Sequence, residues 1–176
     1  MKADRINKSS GKYQTAHVEG VVGSYFGMTV GAPSVGSNAC TLVNNQVNSP
    51  LYTGGAVLTA TMPVAKAGGK LVFSFSDDPA GGTAALTIDC AGSDVWETGC
   101  VVPTTSSNKV TYDVSAADET NLVYTPANAT TNFLSFGSTI EFVCERDGYW
   151  YVHVTNLNSD IGVTAGACTG TLAFAS

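Results

Sequence analysis

Charge is the scarcest ingredient of this 176-residue chain: Asp, Glu, Lys and Arg together make up 12% of it, about half the usual share of roughly 25%. Exposed helical faces are normally clothed in such long charged side chains, so their shortage argues against an α-helical bundle or a helix-rich α/β enzyme. Long apolar runs are missing as well. No stretch approaches the roughly 18 residues of a membrane span, and Met1 to Gln14 is polar where a signal peptide would carry its apolar core. The five cysteines include no C-x-x-C pair, which leaves neither a zinc knuckle nor a complete disulfide framework. The chain is therefore expected to be made and assembled in a reducing cytosol.

What fills the space is 19 Gly, 21 Thr, 16 Ser and 11 Asn, beside an apolar share of 44% that argues against disorder. Such a mixture fits an all-β domain whose outer faces are Thr, Ser and Asn rather than Lys and Glu. The few charges are unevenly placed. Lys2, Arg5, Lys8 and Lys12 are opposed only by Asp4 in the first dozen residues, whereas the remainder holds four bases against thirteen acids. The expected organisation is a basic extended arm over residues 1–16 and an acidic body over 17–176. An acidic body excludes a nucleic-acid backbone as partner, because phosphate contacts need clustered Lys and Arg. The arm, with four bases spread over twelve residues, could meet a nucleic-acid backbone, and an anionic protein surface would suit it equally well.

Along the body, apolar alternation recurs about every ten residues, broken by Gly, Pro, Asn and Asp. Strands are expected near 56–60, 71–75, 85–90, 110–114, 122–124, 132–136 and 169–174, with one or two irregular ones between Ala16 and Val35. Asn44 to Gln46 and Asn48 to Pro50 read as turns. The clearest pair is Ser138 to Cys144 and Tyr149 to Val154, joined through Asp147-Gly148, a strong hairpin signal. Period-two alternation puts Ile140, Phe142 and Cys144 on one face of that hairpin, together with Trp150, Val152 and Val154. Only Ser115 to Glu119 suggests a helical turn, with Ser115 as its cap. These features predict an all-β jelly roll or β-sandwich of about eight to ten antiparallel strands.

No catalytic constellation accompanies this framework. His17 and His153 are the only histidines and have no convergent partner in sequence; structural roles are expected for both. Gly-x-Ser-x-Gly is absent. The acid pairs Asp77-Asp78, Asp94/Glu97, Asp118-Glu119 and Glu145/Asp147 read as turn residues and solvated loop tips, although glycosidase carboxylates are set by separation in space and not by spacing in sequence. No calcium ladder occurs, and Ala67 to Leu71 lacks the first Gly and the Ser/Thr of a phosphate loop. Cys90 and Cys144 continue apolar faces and read as small buried residues, with Cys90 and Cys100 expected to remain thiols. The sequence thus suggests no enzyme, no cofactor and no metal.

Two runs have a familiar form. Phe136-Gly137-Ser138-Thr139-Ile140-Glu141-Phe142-Val143, followed by Asp147-Gly148-Tyr149-Trp150-Tyr151-Val152, resembles the C-terminal pattern of tailed-phage virion proteins, namely the trimeric β-sandwich modules of capsid decoration (cement) proteins and some tail appendages. Upstream, Ala60-Thr61-Met62-Pro63-Val64-Ala65-Lys66-Ala67-Gly68-Gly69-Lys70-Leu71-Val72-Phe73 is similar to their Leu-Pro, small-residue, Gly, strand run, and Asn132-Phe133-Leu134 to their short strand before the Gly-Ser. The likeness spans roughly residues 56–155. Met62 departs from the usual Leu, Cys144 interrupts the usual polar edge, and residues 1–16 have no counterpart.

The resemblance implies a non-enzymatic homotrimer on the outer capsid surface of a virion, assembled in the host cytoplasm, with the major capsid protein as partner and neither nucleic acid nor membrane involved. Lys2, Arg5, Lys8 and Lys12 would dock the arm on acidic patches of the shell. Trp96, Tyr149, Tyr151 and His153 would be trimer-interface residues, where aromatic anchors are favoured. The alternative is a tail-fibre or receptor-binding module recognising host glycan through Tyr149, Tyr151, Asn156 and Asn158. A third class, a polysaccharide-degrading enzyme, would need two convergent carboxylates.

Overall fold

The structure, a computed structural model, describes residues 24–25, 28–51, 57–74, 85–106, 109–126, 139–156 and 170–176. Lys2, Arg5, Lys8, Lys12, His17, Asp77, Asp78, Asn158 and the strand expected at 132–136 lie outside them. Among the described residues there are fourteen strands and no helix. In chain order these are β1 (Ser24–Tyr25), β2 (Met28–Gly31), β3 (Ala39–Thr41), β4 (Gln46–Asn48), β5 (Leu58–Thr61), β6 (Lys70–Ser74), β7 (Leu86–Asp89), β8 (Val95–Trp96), β9 (Val101–Ser106), β10 (Lys109–Val114), β11 (Asn121–Pro126), β12 (Thr139–Arg146), β13 (Tyr149–Asn156) and β14 (Gly170–Ala175).

The strands form two seven-stranded sheets, ordered β1-β2-β4-β6-β12-β13-β8 and β10-β9-β14-β11-β7-β5-β3. Their inward residues merge into a single buried cluster. Leu71, Phe73, Ile140, Phe142, Trp150 and Trp96 come from the first sheet; Leu58, Leu86, Ile88, Leu122, Tyr124 and Leu172 come from the second. The alternation visible in sequence is the alternation of burial. Strand β12 runs half-buried, buried, half-buried, buried from Thr139 through Phe142, and β5 and β7 alternate in the opposite phase, starting buried at Leu58 and Leu86.

The expectation of purely antiparallel strands is overturned. β2 pairs with β4, β4 with β6, β3 with β5, β5 with β7 and β13 with β8, all in parallel. The cause is the path of the chain. From β2 to β8 each successive strand enters the opposite sheet, so alternate strands return to the same sheet running in the same direction. Parallel neighbours need a crossover, and here the crossover is a strand of the facing layer.

Two further expectations change. Ser115 to Glu119 is a turn, not a helix, with Asp118 at φ 65°. Ser115 is buried and clamps the mouth of the β9–β10 hairpin: its hydroxyl accepts the Cys100 amide at 2.9 Å and donates to the Glu97 carbonyl at 2.6 Å. Gln46 to Asn48, expected as part of two turns, is strand β4. Asn48 is fully buried there because its side chain satisfies the loop it follows. Oδ1 accepts the Val43 amide at 2.7 Å, while Nδ2 donates to the carbonyls of Val43 and Gln46 at 3.0 and 3.1 Å.

Candidate interaction site

One end of the two-sheet body gathers the loops β3–β4, β5–β6, β7–β8 and β12–β13. There the runs 60–73 and 139–152 meet. Within the sheet, Leu71 pairs with Phe142 and Phe73 with Ile140. Beyond it, residues 62–69 are stitched to the tip of the β12–β13 hairpin. The Gly148 amide donates to the Ala65 carbonyl at 3.1 Å, the Gly68 amide to Cys144 O at 2.8 Å, and the Cys144 amide to Gly69 O at 2.8 Å.

Two carboxylates complete the attachment. Asp94, buried in the β7–β8 loop, accepts the Ala65 amide at 2.7 Å. Asp147 accepts the Ala67 amide at 2.9 Å and pairs with Lys66 Nζ at 3.0 Å. These contacts, first the Ala67 amide and then Lys66, hold the Asp147 carboxyl below its ordinary range and, in return, raise Lys66. Only Gly fits at position 69: a Cβ would stand 2.9 Å from the Lys66 carbonyl and 3.3 Å from the Trp150 ring. The hairpin itself closes with Gly148 at φ 86° and a register shift between Val143 and Arg146. This is a bulged turn rather than a mirror-image two-residue one.

Beside this clasp lies a polar cluster on the outward flank of β8 and β13. Arg146 grips Glu97 through two nitrogens, Nε and Nη2, each 2.9 Å from a carboxylate oxygen. Its guanidinium sits 3.5 Å from the centroid of the Tyr149 ring. Glu97 is pulled below the ordinary carboxylate range by Arg146 first, with the Thr98 amide and the Tyr151 hydroxyl contributing. Arg146 thus covers one face of the Tyr149 ring. His153 is exposed, with Nδ1 4.0 Å from Glu141.

Of the interface residues expected from sequence, Tyr149, Tyr151 and His153 share the outward side of β13, with Tyr151 and His153 exposed and Tyr149 half-buried. Trp96 does not join them. It has no exposed surface and packs against Phe142 and Phe174, with ring centroids at 5.8 and 6.2 Å. Strand β8 pairs in parallel with β13, bringing Trp96 level with Trp150 on the inward side. Both indoles therefore belong to the core, and Trp96 is corrected from interface to core residue.

Cys40, Cys90, Cys100 and Cys144 are buried thiols. Burial pushes Cys40 up to about 11 and raises the other three, so none is a ready nucleophile. Among the described residues no group of three or more His, Cys, Asp or Glu is arranged to hold a metal ion, and no helix is long and apolar enough to cross a membrane. The acid pairs are dispersed: Asp94 and Asp147 hold backbone, Glu97 holds Arg146, and Glu119 accepts the Ala116 amide within its turn. Sequence reasoning missed Asn48 and the structural role of Asp94. The signal for Asp94 was its place after Ala91-Gly92-Ser93, a tight loop beside a run of small residues. For Asn48 there was none.

Comparison of the chain with protein-family models, curated proteins and solved structures finds no match.

Proposed function

We propose that this chain is a non-enzymatic structural protein of a tailed-phage virion, a jelly-roll-like β-sandwich that decorates the outer capsid surface as a homotrimer. The supporting observation is that the two runs resembling decoration proteins, 60–73 and 139–152, form one interlocked unit. They pair within a sheet and are clasped at their loops by Asp94 and Asp147. Short, scattered likenesses gain force when they fold into one substructure.

The outer face of the second sheet adds to the reading. Ala39, Thr59, Thr87, Val123 and Ala173 lie in register across it, and beside them Thr41, Thr61, Asp89, Asn121 and Ala175. A sheet face with one carboxylate among ten residues can meet protein surface with little loss of charge solvation. In this reading Lys2, Arg5, Lys8 and Lys12 dock on acidic patches of the major capsid protein. Many weak arms acting together then offset the entropy of ordering each one.

Mass spectrometry and electron microscopy of purified particles test it. The expected outcome is the protein on the capsid exterior in threefold clusters, and loss of capsid binding on deleting residues 1–16. Absence from particles, or confinement to the tail, sinks the decoration reading. A truncated chain that binds with undiminished affinity moves the docking surface from arm to body.

A further inference from the structure

The sequence contains one Asp-Gly pair, Asp147-Gly148, and no Asn-Gly. Such a pair is a chemical weak point of the backbone. Glycine has no Cβ to shield its amide nitrogen, so that nitrogen can reach the carboxyl carbon of the preceding residue and close a succinimide ring. Asp147 and Gly148 form the tip of the β12–β13 hairpin, where the Asp147 side chain is 62% exposed and Gly148 lies at φ 86°. Water, the reagent of the second step, reaches the site.

Both reacting groups are nevertheless engaged, and by the same loop. The Asp147 carboxylate accepts the Ala67 amide at 2.9 Å through Oδ1 and pairs with Lys66 Nζ at 3.0 Å through Oδ2. The Gly148 amide, the nucleophile, donates to the Ala65 carbonyl at 3.1 Å. Ala65 is fixed in turn by buried Asp94, which accepts its amide at 2.7 Å. Ring closure must take the proton from the Gly148 nitrogen and expel the carboxyl hydroxyl as water. A hydrogen-bonded amide gives up its proton only when the bond opens. A carboxylate kept ionised by the Ala67 amide and Lys66 has no hydroxyl to lose.

We propose that Asp147-Gly148 is a modification site, an isoaspartate position that residues 65–67 keep closed and that reacts when they let go. Opening allows the Gly148 nitrogen to bond Asp147 Cγ, with loss of a water. Another water then adds to the main-chain carbonyl carbon of Asp147 and breaks its bond to nitrogen, so the chain continues through Cβ and Cγ. Water leaves and water returns; the product is an isomer and no oxidant is consumed. That product does not fit the clasp. Its backbone is longer by the Cβ methylene and its carboxylate springs from Cα, so the bonds to Ala65, Ala67 and Lys66 cannot all be remade. The sheets remain, held by the pairing of Leu71 with Phe142 and Phe73 with Ile140, while the loop before them stays unfastened. The inference rests on the clasp alone and does not depend on the virion reading.

Ageing the full chain at neutral pH, folded or in denaturing urea, tests it, with isoaspartate at position 147 read by peptide mapping as a separately eluting peptide of unchanged mass. The folded chain should accumulate it about tenfold or more slowly than the unfolded chain. Asp94→Ala, which releases Ala65, should close most of that difference while the emission of buried Trp96 and Trp150 stays native. Should Asp94→Ala unfold, Gly69→Ala takes its place, because a Cβ there stands 2.9 Å from the Lys66 carbonyl and displaces the loop from within. Protein isomerised in urea and then refolded should regain native emission without regaining protection of the Ala67 amide. The proposal is overturned by equal rates in the folded and unfolded parent, by folded clasp variants that react no faster than the parent, by no product at 147 in urea, or by an isomerised chain whose Ala67 amide is as protected as before.

Discussion

Trp96 and Asn48 show how a single side chain in this protein takes its role from its neighbours. Trp96 fills the seam between sheets against Phe142 and Phe174, yet its indole nitrogen, like that of Trp150, is buried without a hydrogen-bond partner. Volume and ring contact outweigh the unmet N–H. Trp96→Ala should accordingly cost about 3–5 kcal/mol of unfolding free energy. Trp96→Phe keeps most ring contact and deletes the unmatched donor, so its loss in urea titration should be a fraction of that. Asn48 is the opposite case, a polar group whose burial is repaid in full by hydrogen bonds to Val43 and Gln46. Asn48→Ala leaves those backbone groups unmatched and should cost about 1–3 kcal/mol, with faster amide exchange at Val43 as the local readout.

At the scale of elements, residues 62–69 are held by side chains that titrate. The folded Asp147 carboxyl lies below its ordinary 3.8, so its contribution is fully present above that pH and is lost as pH falls through the lower folded value. Glu97, drawn below 4.5 by Arg146, behaves in the same way. Lys66 and Arg146 are both raised, and their share disappears only in strong alkali, above the ordinary 10.5 of a lysine. Protection of the Ala67 amide relative to its intrinsic exchange rate should therefore fall below about pH 4 while the sheets persist, and Asp147→Ala should show the low protection at neutral pH. If Ala67 exchange is indifferent to both changes, Asp147 does not hold the loop.

Strand identity was legible where alternation was long: β12 and β13 were expected within a few residues of where they stand. Strands β3, β4 and β8, two or three residues each, carry too few positions for a period and were invisible. Of the clasp, the hairpin tip was legible through Asp147-Gly148. Its grip on Ala67, 80 positions earlier in the chain, was not, because sequence order does not reveal which loops share an end. Turn residues likewise mark where a strand stops and not which sheet receives the next one, so the parallel pairings escaped notice. Trp96 was misplaced for a related reason, since two residues of β8 do not say which face is inward.

At the scale of the molecule, the second sheet depends on β14, the last in chain order of its described strands. β14 lies between β9 and β11, meeting β9 at Gly170↔Thr105 and β11 along six residue pairs. Beyond Gly170 the seam toward β9 and β10 is held by the Asp113 carboxylate on the Phe174 amide. Removing residues 170–176 should therefore abolish the cooperative transition, not merely lower its midpoint, and calorimetry would show it. A truncated chain that still melts sharply would mean that β9 and β10 dock without a bridge.

The position of β14 also sets a timetable. Among the described residues, thirteen strands precede in the chain the one that joins β9–β10 to the rest of their sheet. Until β14 docks, the inner faces of Val102, Leu122 and Tyr124, all fully enclosed in the finished fold, lack the apolar cover of Leu172 and Phe174. If β9 and β11 form before β14 is available, completing the sheet requires inserting β14 between them. Such long-range closure is slow. Crowded synthesis of many copies at once would expose the same gap in each, so yield in the cell should fall with expression rate and with temperature before the stability of the folded protein becomes limiting.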